Sequence, residues 1–217
     1  MTRLRRRSAP NPADTALLYK IASILLSYPD ERVHARLDDV TAALPTIGAP
    51  TPRASVAGFV NWMAAMTPTE AAAHYVTTFD HTRRRSLYLT YYRHGDTRAR
   101  GMALLALKHL YRNAGYPAPE SELPDFLPLV LEFAALAPEP GHRILIQCQA
   151  GLELLADALR DANSPYAGLL DMIRDRLPEL HQRDRDNLRA LAATGPPSEV
   201  VGLEPFAPPE YLAGEHR

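Results

Sequence analysis

Residues 80–100 of this 217-residue chain combine arginine and tyrosine side chains at a density that an ordinary helix surface does not require. Six arginines against two aspartates give the segment a net charge of +4. The arginines are Arg83, Arg84, Arg85, Arg93, Arg98 and Arg100, the aspartates are Asp80 and Asp96, and Tyr88, Tyr91 and Tyr92 lie among them. Guanidinium groups beside aromatic rings can bind a peptide, a nucleic acid or carboxylates of the same protein. The segment is therefore predicted to be a surface that holds one of these.

Two carboxylates further along the chain could act together. Asp125 and Glu132 are seven residues apart, so they share one face of a predicted helix over residues 123–136. Such a pair can serve as general acid and base, but this needs a pocket and a substrate that the sequence does not reveal. The alternative is that Asp125 caps the helix and Glu132 is solvated or paired with an arginine. Both interpretations stay open from the residues alone.

The motifs of common catalytic and cofactor sites are absent from the sequence. It contains no glycine-rich dinucleotide fingerprint, no Walker loop, no His-Glu-x-x-His zinc motif and no nucleophile elbow. His74 and His81 are separated by an expected helix break near Asp80, which disfavours a metal site. The single cysteine, Cys148, falls on an apolar helical stripe and is more simply a small core residue than a nucleophile. The residues themselves therefore give no positive indication of a catalytic or metal site.

A helical nucleic-acid-binding regulator that uses the arginines from Arg83 to Arg100 is an alternative function. A short helix, a glycine and a second helix could imitate a helix-turn-helix unit. However, the predicted second helix, residues 97–113, is apolar after Gly101, which favours a place in a core over a place in a DNA groove. The whole chain has a net charge of −1, so no global field attracts it to nucleic acid. Neither nucleic acid nor stable membrane insertion is therefore expected.

Apolar residues recur at helical spacing through most of the chain, and no segment shows convincing alternation with period two. The 20 prolines fall almost entirely between these periodic segments, where they start or stop helices. Helices are predicted near residues 14–28, 30–44, 53–66, 67–79, 86–93, 97–113, 123–136, 141–162, 165–177 and 179–193. Thr67, Pro68 and Glu70 form a capping-box signature, and Asp30 and Asp96 are predicted caps.

These elements predict an all-α, single-domain helical bundle of about eight to ten helices. The domain is expected to span residues 14–194, between a basic N-terminal tail (1–13) and a proline-rich C-terminal tail (195–217). Lys20 splits the apolar run that follows the N-terminal arginines, and no signal-peptide cleavage site follows it. With one cysteine and therefore no internal disulfide, a cytoplasmic setting is expected.

Several motifs in the same order resemble one protein family. They are Tyr28-Pro29-Asp30, YVTTFD (75–80), RSLYLT (85–90), HGDTRARG (94–101), ELPDFLPLVLEF (122–133) and FAPPEYL (206–212). Together they resemble the NarJ-type chaperones, the "delta subunit" proteins that assemble respiratory nitrate reductase. These belong, with the TorD and DmsD chaperones, to the all-helical redox enzyme maturation group. The resemblance covers most of residues 15–193 in helix order.

The resemblance implies a chaperone without enzymatic activity. Such proteins bind the N-terminal segment of the catalytic alpha subunit in the cytoplasm, and the alpha–beta subcomplex is a further partner to consider. They are required for insertion of the bis-guanine-dinucleotide molybdenum cofactor into the client and for membrane docking, and no cofactor is expected to stay bound to the chaperone. A chaperone of the same group that serves another molybdoenzyme, such as a sulfoxide or amine-oxide reductase, is a second alternative.

A peptide-binding site is therefore predicted in the middle third of the chain. Aromatic and aliphatic side chains would form an apolar trough, and charged side chains would hold the client or fix the loops. Asp125 and Glu132 are expected on the face opposite the core stripe, where they would receive basic client residues. The predicted site residues are Tyr75, Phe79, Asp80, Arg85, Leu87, Tyr88, Tyr91, His94, Asp96, Arg98, Arg100, Asp125, Leu127, Pro128, Glu132 and Phe133.

Overall fold

The computed structural model describes residues 11–180 and Asp186, and this part of the chain is helical. It contains eleven α-helices and two single-turn 3-10 helices, Leu44–Thr46 and Arg83–Arg85. The α-helices are α1 (Pro12–Leu25), α2 (Glu31–Ala35), α3 (Leu37–Ala43), α4 (Pro50–Ala64), α5 (Pro68–Phe79), α6 (Leu89–His94), α7 (Arg98–Asn113), α8 (Leu127–Leu136), α9 (Pro138–Gln147), α10 (Gln149–Asp161) and α11 (Ala167–Arg174). No helix among the described residues is long and apolar enough to cross a bilayer. The predicted all-α class is confirmed.

Nine of the predicted helices fall within the described range, and all nine are found there. Two of them are divided: the segment after Asp30 forms α2 and α3, and the predicted helix 141–162 forms α9 and α10. α9 begins earlier than predicted, at Pro138, because proline is well tolerated in the first turn of a helix. The predicted helix near 179–193 and the proline-rich tail lie outside the described residues, apart from Glu179, Leu180 and Asp186.

Cys148 lies at the junction of α9 and α10. It packs against the hydrophobic core, as its apolar stripe predicts. Burial raises the pKa of the Cys148 thiol to about 12. Because the thiolate and not the thiol is the nucleophile, this environment is the opposite of a reactive cysteine site.

The predicted helix caps are partly confirmed. Thr67 and Glu70 form the reciprocal capping box at the start of α5, with the backbone N–H of Thr67 donating to the Glu70 carboxylate at 2.9 Å. Asp30 accepts two backbone N–H bonds at the start of α2. The cap predicted for Asp96 is wrong: Thr97 precedes α7 without a side-chain cap, and Asp96 pairs instead with Arg100 one turn along the helix.

The core lies between α1 and the C-terminal helices. α1 packs against α8 and α11, and α10 packs against α11 and α6. Tyr166, fully buried just before α11, is the centre of an aromatic cluster in which the rings of Phe59 and Phe79 each lie 4.8 Å from its own. This cluster connects α4, α5 and α11, and it places the C-terminal end of α5 at a fixed position.

Two glycines allow helices to approach closely. A Cβ atom on Gly141 would lie 2.3 Å from the Cα of Ala134, so α9 and α8 are in direct backbone contact. A Cβ atom on Gly151 would lie 2.9 Å from the ring of Tyr92, where α10 meets α6. Since real Cβ atoms do not reach such distances, both positions require glycine for the helices to stay where they are.

Candidate functional site

One surface depression, with a volume of about 470 Å³, brings together half of the predicted binding residues. Its walls come from α5, the 3-10 turn at 83–85, α6 and the first turn of α7. The predicted residues that line it are Tyr75, Phe79, Asp80, Leu87, Tyr88, Tyr91, Asp96 and Arg100. Tyr28, Thr82, Arg83, Ser86 and Phe126 complete the lining. These thirteen residues are called the tyrosine groove below.

The inner wall of the tyrosine groove is a row of aromatic rings. Tyr75 is buried against Phe79, with ring centroids 4.8 Å apart, and its hydroxyl donates to the carbonyl of Leu26 at 3.1 Å. Burial raises the pKa of Tyr75 far above its usual value, so this hydroxyl remains a neutral donor. Tyr28 stands edge-on to Tyr75 at 5.5 Å and remains 49% exposed. Tyr75 is therefore a buried, hydrogen-bonded ring of the groove, and Tyr28 is an exposed one.

Tyr88 is a further aromatic residue of the groove lining. Its ring lies 5.4 Å from that of Phe126, and its hydroxyl donates to Oε1 of Glu122 at 3.2 Å. Partial burial, together with the charge of Glu122 and this hydrogen bond, raises the pKa of Tyr88 to about 12. The phenol is therefore neutral at any physiological pH, and it offers an aromatic face to a bound molecule.

The two motifs that carry most of the predicted residues are joined by a short antiparallel pairing. The N–H of Leu127 donates to the carbonyl of Leu87 at 2.8 Å, and the N–H of Leu89 donates to the carbonyl of Asp125 at 3.0 Å. Tyr88 and Phe126 form the bridge between these two bonds. This pairing explains why α8 begins at Leu127 and not at the predicted position near 123: residues 125–127 are extended partners of residues 87–89.

Asp125 is wholly buried, which contradicts the expectation that it faces a client. Its Oδ2 accepts the backbone N–H of Thr90 at 3.1 Å and also the Thr90 hydroxyl. Tyr88, the residue before α6, provides no side-chain cap, so Asp125 caps α6 from a distant part of the chain. Asp125 caps a helix, as predicted, but the helix is α6 and not the one that follows it in the sequence, α8.

Arg100 connects Asp125 to the surface. Its Nη2 lies 3.7 Å from Oδ2 of Asp125, its Nη1 lies 3.5 Å from Oδ1 of Asp96, and its side chain is 18% exposed. Its guanidinium carbon lies 5.9 Å from the ring centroid of Tyr88 and 5.8 Å from that of Tyr91. A cation at this distance from aromatic faces is attracted by their quadrupoles. Arg100 therefore ties two groove tyrosines to a buried carboxylate.

The other predicted residues lie outside the tyrosine groove. Leu127, Pro128 and Phe133 are buried in the core face of α8, so they support the site without lining it. Arg85 donates to the Thr82 hydroxyl at 2.9 Å and fixes the 3-10 turn. Arg98 lies in the first turn of α7.

His94, the last residue of α6, is also outside the groove. Desolvation, and then the nearby Arg93, lowers the pKa of His94.

Glu132 lies in a second depression, next to the tyrosine groove. It forms an ion pair with Lys20 of α1 and is half-buried, which agrees with the alternative of a paired carboxylate, although the pairing cation is a lysine. This depression has a volume of about 450 Å³ and is lined largely by polar and charged residues of α1, α2 and Arg36. Tyr28 borders both depressions, so it separates an aromatic compartment from a charged one.

Five groove residues were missed by sequence reasoning. Ser86 and Phe126 lie inside the motifs RSLYLT and ELPDFLPLVLEF, and Tyr28 begins the motif Tyr-Pro-Asp, so a signal existed for these three. Arg83 lies between motifs but belongs to the arginine-rich segment 80–100, so its charge was a signal, whereas Thr82 carries none.

Six of the thirteen lining residues of the tyrosine groove are aromatic, and its charged residues are two arginines, Arg83 and Arg100, and two aspartates, Asp80 and Asp96. Arg100 pairs with Asp96, and Glu122 accepts the hydrogen bond of the Tyr88 hydroxyl. Among the described residues, no group of three or more His, Cys, Asp or Glu side chains could hold a metal ion. A groove that combines aromatic rings with charges of both signs suits an extended or helical peptide with apolar side chains.

Comparison with known proteins gives the family. A family model described as the nitrate reductase delta subunit matches residues 49–171, more than half of the chain. The chain is 37% identical over 175 residues to the probable nitrate reductase molybdenum cofactor assembly chaperone NarJ of Bacillus subtilis, covering 80% of this chain and 95% of that protein. It is 34% identical over 156 residues to the nitrate reductase molybdenum cofactor assembly chaperone NarJ of Escherichia coli, covering 70% of this chain and 66% of NarJ.

Two further similarities are more limited. The nitrate reductase-like protein NarX of Mycobacterium tuberculosis is 40% identical over 153 residues, which are 70% of this chain and 23% of NarX. A solved structure from Archaeoglobus fulgidus, described as a redox enzyme maturation protein, superposes with a TM-score of 0.55 at 20% identity and covers 80% of this chain and 98% of that one. At this identity the superposition shows a shared fold. With the match to the family model and to the Bacillus subtilis protein, it follows that the chain belongs to the nitrate reductase delta subunit family.

Proposed function

We propose that this chain is a molybdenum cofactor assembly chaperone for nitrate reductase, and that its tyrosine groove binds the N-terminal segment of the catalytic alpha subunit. The observation that carries the proposal is the convergence of four family motifs on one groove: Tyr28, Tyr75, Tyr88 and Arg100 each come from a different motif and line the same depression. Relatives of the chain are named as such chaperones. A groove of aromatic rings with charged rims is one of the recurring ways in which proteins hold a helical peptide.

The charges indicate what the client segment should contain. Asp80 and the 64%-exposed Asp96 are the accessible carboxylates of the groove, whereas Arg100 is already paired with Asp96 and Asp125. A client with apolar side chains and a small number of charges would therefore be complementary, with Asp80 and Asp96 available to its basic residues and the exposed Arg83 to an acidic one. Binding between exposed groups should weaken as salt is added, because exposed charges are screened.

Cofactor insertion follows in this proposal from holding the client, not from carrying the cofactor. The bis-guanine-dinucleotide cofactor contains several phosphate groups. Proteins bind phosphate with cationic side chains that are not already paired with carboxylates, or with glycine-rich loops. Arg100 is neutralised by two carboxylates, and the sequence has no phosphate-cradling loop. The chaperone would hold the alpha subunit in the cytoplasm in a form that accepts its cofactor, and release would precede membrane docking.

The nucleic-acid alternative is less well supported by the groove. DNA binding needs a row of cations that face the solvent together. Two of the six arginines of residues 83–100 are engaged within the protein: Arg85 bonds within its own turn, and Arg100 is paired with two carboxylates. The exposed ones, Arg83, Arg84, Arg93 and Arg98, are spread over the 3-10 turn, α6 and α7 and do not lie on one helix.

Calorimetric titration with a synthetic peptide of the alpha-subunit N-terminus tests the proposal. The wild-type chain should bind it, and Tyr88→Ala should weaken binding about tenfold, a usual cost for removing an aromatic anchor from an interface. Lys108→Ala, at an exposed position of α7 outside the groove, is the matched control and should bind as wild type does. Absence of binding by the wild-type chain, or equal binding by Tyr88→Ala, would contradict the proposed site.

A further inference from the structure

The tyrosine groove depends on a residue that does not line it. Asp125 is 0% exposed and outside the groove lining, and its carboxylate faces Arg100, whose guanidinium lies near the rings of Tyr88 and Tyr91. One of its oxygens, Oδ2, receives both donors of Thr90 and faces Nη2 of Arg100 at 3.7 Å. A single buried carboxylate thus contacts the start of α6 and the start of α7 at once.

Arg100 has two acidic neighbours that differ in environment. Asp96 lies 3.5 Å away, but its side chain is 64% exposed, so water and salt screen its attraction. Asp125 lies 3.7 Å away in an environment without solvent exposure, where a charge acts more strongly. The buried partner should therefore dominate the position of the guanidinium group.

The position of Arg100 in turn shapes the groove surface. The guanidinium lies near the rings of Tyr88 and Tyr91, both of which line the groove. Its Nε is enclosed by surrounding atoms, so the group is packed in place and does not extend into solvent. If Arg100 moved, both rings would lose a neighbour, and the distribution of charge in the groove would change.

We propose that Asp125 is a positioning residue for the client site: its buried carboxylate holds Arg100 against Tyr88 and Tyr91 and so sets the surface that the client contacts. This inference rests on the proposed function, and it deepens it by separating the residue that orders the groove from the residues that touch the peptide. It predicts that the charge of Asp125 matters for binding although no client atom reaches it.

The first test uses Asp125→Asn and the same alpha-subunit peptide. Asparagine has nearly the same shape, and its amide oxygen can still accept from Thr90, but the negative charge that faces Arg100 is lost. Affinity should fall about tenfold at a temperature at which the variant is folded. Arg100→Gln should show a similar loss, and the double variant should bind no more weakly than either single variant, because both changes break one interaction.

A second readout needs no peptide. The Nε–H group of Arg100 should give a separate resonance in a nitrogen-15 NMR spectrum, since it is enclosed and lies near two aromatic rings. In Asp125→Asn this resonance should move to the region of exposed arginines. A role limited to capping α6 through Thr90 would lower stability and leave the resonance where it is.

Glu153→Gln is the matched control. Glu153 is also a poorly exposed carboxylate, at 13%, and it pairs with Arg174 on α11 outside the tyrosine groove. This variant should lose stability without change in affinity or in the Arg100 resonance.

The outcomes separate the two proposals. A folded Asp125→Asn variant with wild-type affinity and an unmoved Arg100 resonance would overturn the positioning role, as would wild-type affinity in Arg100→Gln. Failure of the wild-type chain to bind the peptide would contradict the proposed function instead, and the NMR comparison would still decide whether Asp125 positions Arg100. Should Asp125→Asn not fold, the Arg100→Gln titration still tests the positioning role, because wild-type affinity in that variant would overturn it.

Discussion

Tyr28 contributes an exposed aromatic ring to the groove from the connection between α1 and α2, far in sequence from the other lining residues. Its edge-on contact with Tyr75 holds the ring upright, and aromatic pairs of this kind contribute about 0.5–1.5 kcal/mol beyond the area that they bury. Almost half of the residue's surface is exposed, so the proposed client could cover it. Tyr28 should therefore matter more for binding than for folding.

Tyr28→Ala is expected to weaken peptide binding about fivefold to tenfold while lowering the free energy of unfolding by no more than about 1 kcal/mol. Tyr28→Phe should retain most of the affinity, since the ring and its contact with Tyr75 remain. Calorimetry and urea denaturation of the three proteins measure both quantities. Large destabilisation with unchanged affinity would show that Tyr28 is a structural residue.

At the same scale, Asp125 and Arg100 show what the sequence could not reveal. The spacing of Asp125 and Glu132 correctly places both near α8, but helical periodicity assigns a face only to residues that are helical. Asp125 precedes α8, and its side chain points to Thr90, which is 35 residues away. That long-range pairing, and not local periodicity, decides that Asp125 is buried and Glu132 half-buried.

Helices were the most predictable elements. Proline positions and capping residues placed the start of α5 correctly, since these signals act locally. The divisions between α2 and α3, and between α9 and α10, carry no proline or glycine signal at Arg36 or Cys148, so sequence reasoning joined them. The α8 start was placed too early because residues 125–127 pair with residues 87–89.

The contact between α8 and α9 gives a prediction at the scale of elements. Gly141→Ala places a methyl group against the backbone of Ala134, and overpacking of this kind costs about 1–3 kcal/mol. Gly101→Ala is the control, because nothing lies within 4 Å of a Cβ there and the residue is inside α7. It should stabilise the protein by about 0.5–1 kcal/mol through helix propensity.

Thermal or urea denaturation of both variants measures the two effects. The pair should shift stability in opposite directions from the wild type. Equal behaviour of the two alanine variants would mean that α9 can move away from α8 without cost.

For the whole molecule, the histidines predict how stability depends on pH. Desolvation lowers the pKa of His74, His94 and His142, with nearby arginines contributing at His74 and His94. The unfolded chain therefore binds protons more readily than the folded chain at these sites, so acidification favours unfolding. Stability should be fully present above pH about 6.5, the usual pKa of histidine, and should fall as the pH decreases through that value towards the lower folded-state pKa.

Urea denaturation between pH 5 and pH 8 measures this dependence. His74→Gln should show a flatter profile than the wild-type chain, because one of the three groups no longer titrates. A stability that rises on acidification across this window would contradict the prediction.

Among the properties of the whole molecule, too, some could be predicted from the sequence and others could not. The all-helical bundle and the family followed from periodicity and from ordered motifs, both of which are properties of the sequence itself. The net charge of residues 80–100 did not predict the electrostatics of the tyrosine groove. Its arginines are distributed among a turn, a buried carboxylate and the rim, and only the folded chain shows which of them are compensated.

The pairing of residues 87–89 with residues 125–127 also limits what a fragment of this protein can do. A chain that stops before Asp125 contains twelve of the thirteen lining residues, from Tyr28 to Arg100, and lacks only Phe126. It would nevertheless lack the extended residues 125–127, which pair with residues 87–89, and the Asp125 carboxylate, which caps α6. During synthesis, we therefore expect the groove to assemble only after Leu127 has left the ribosome.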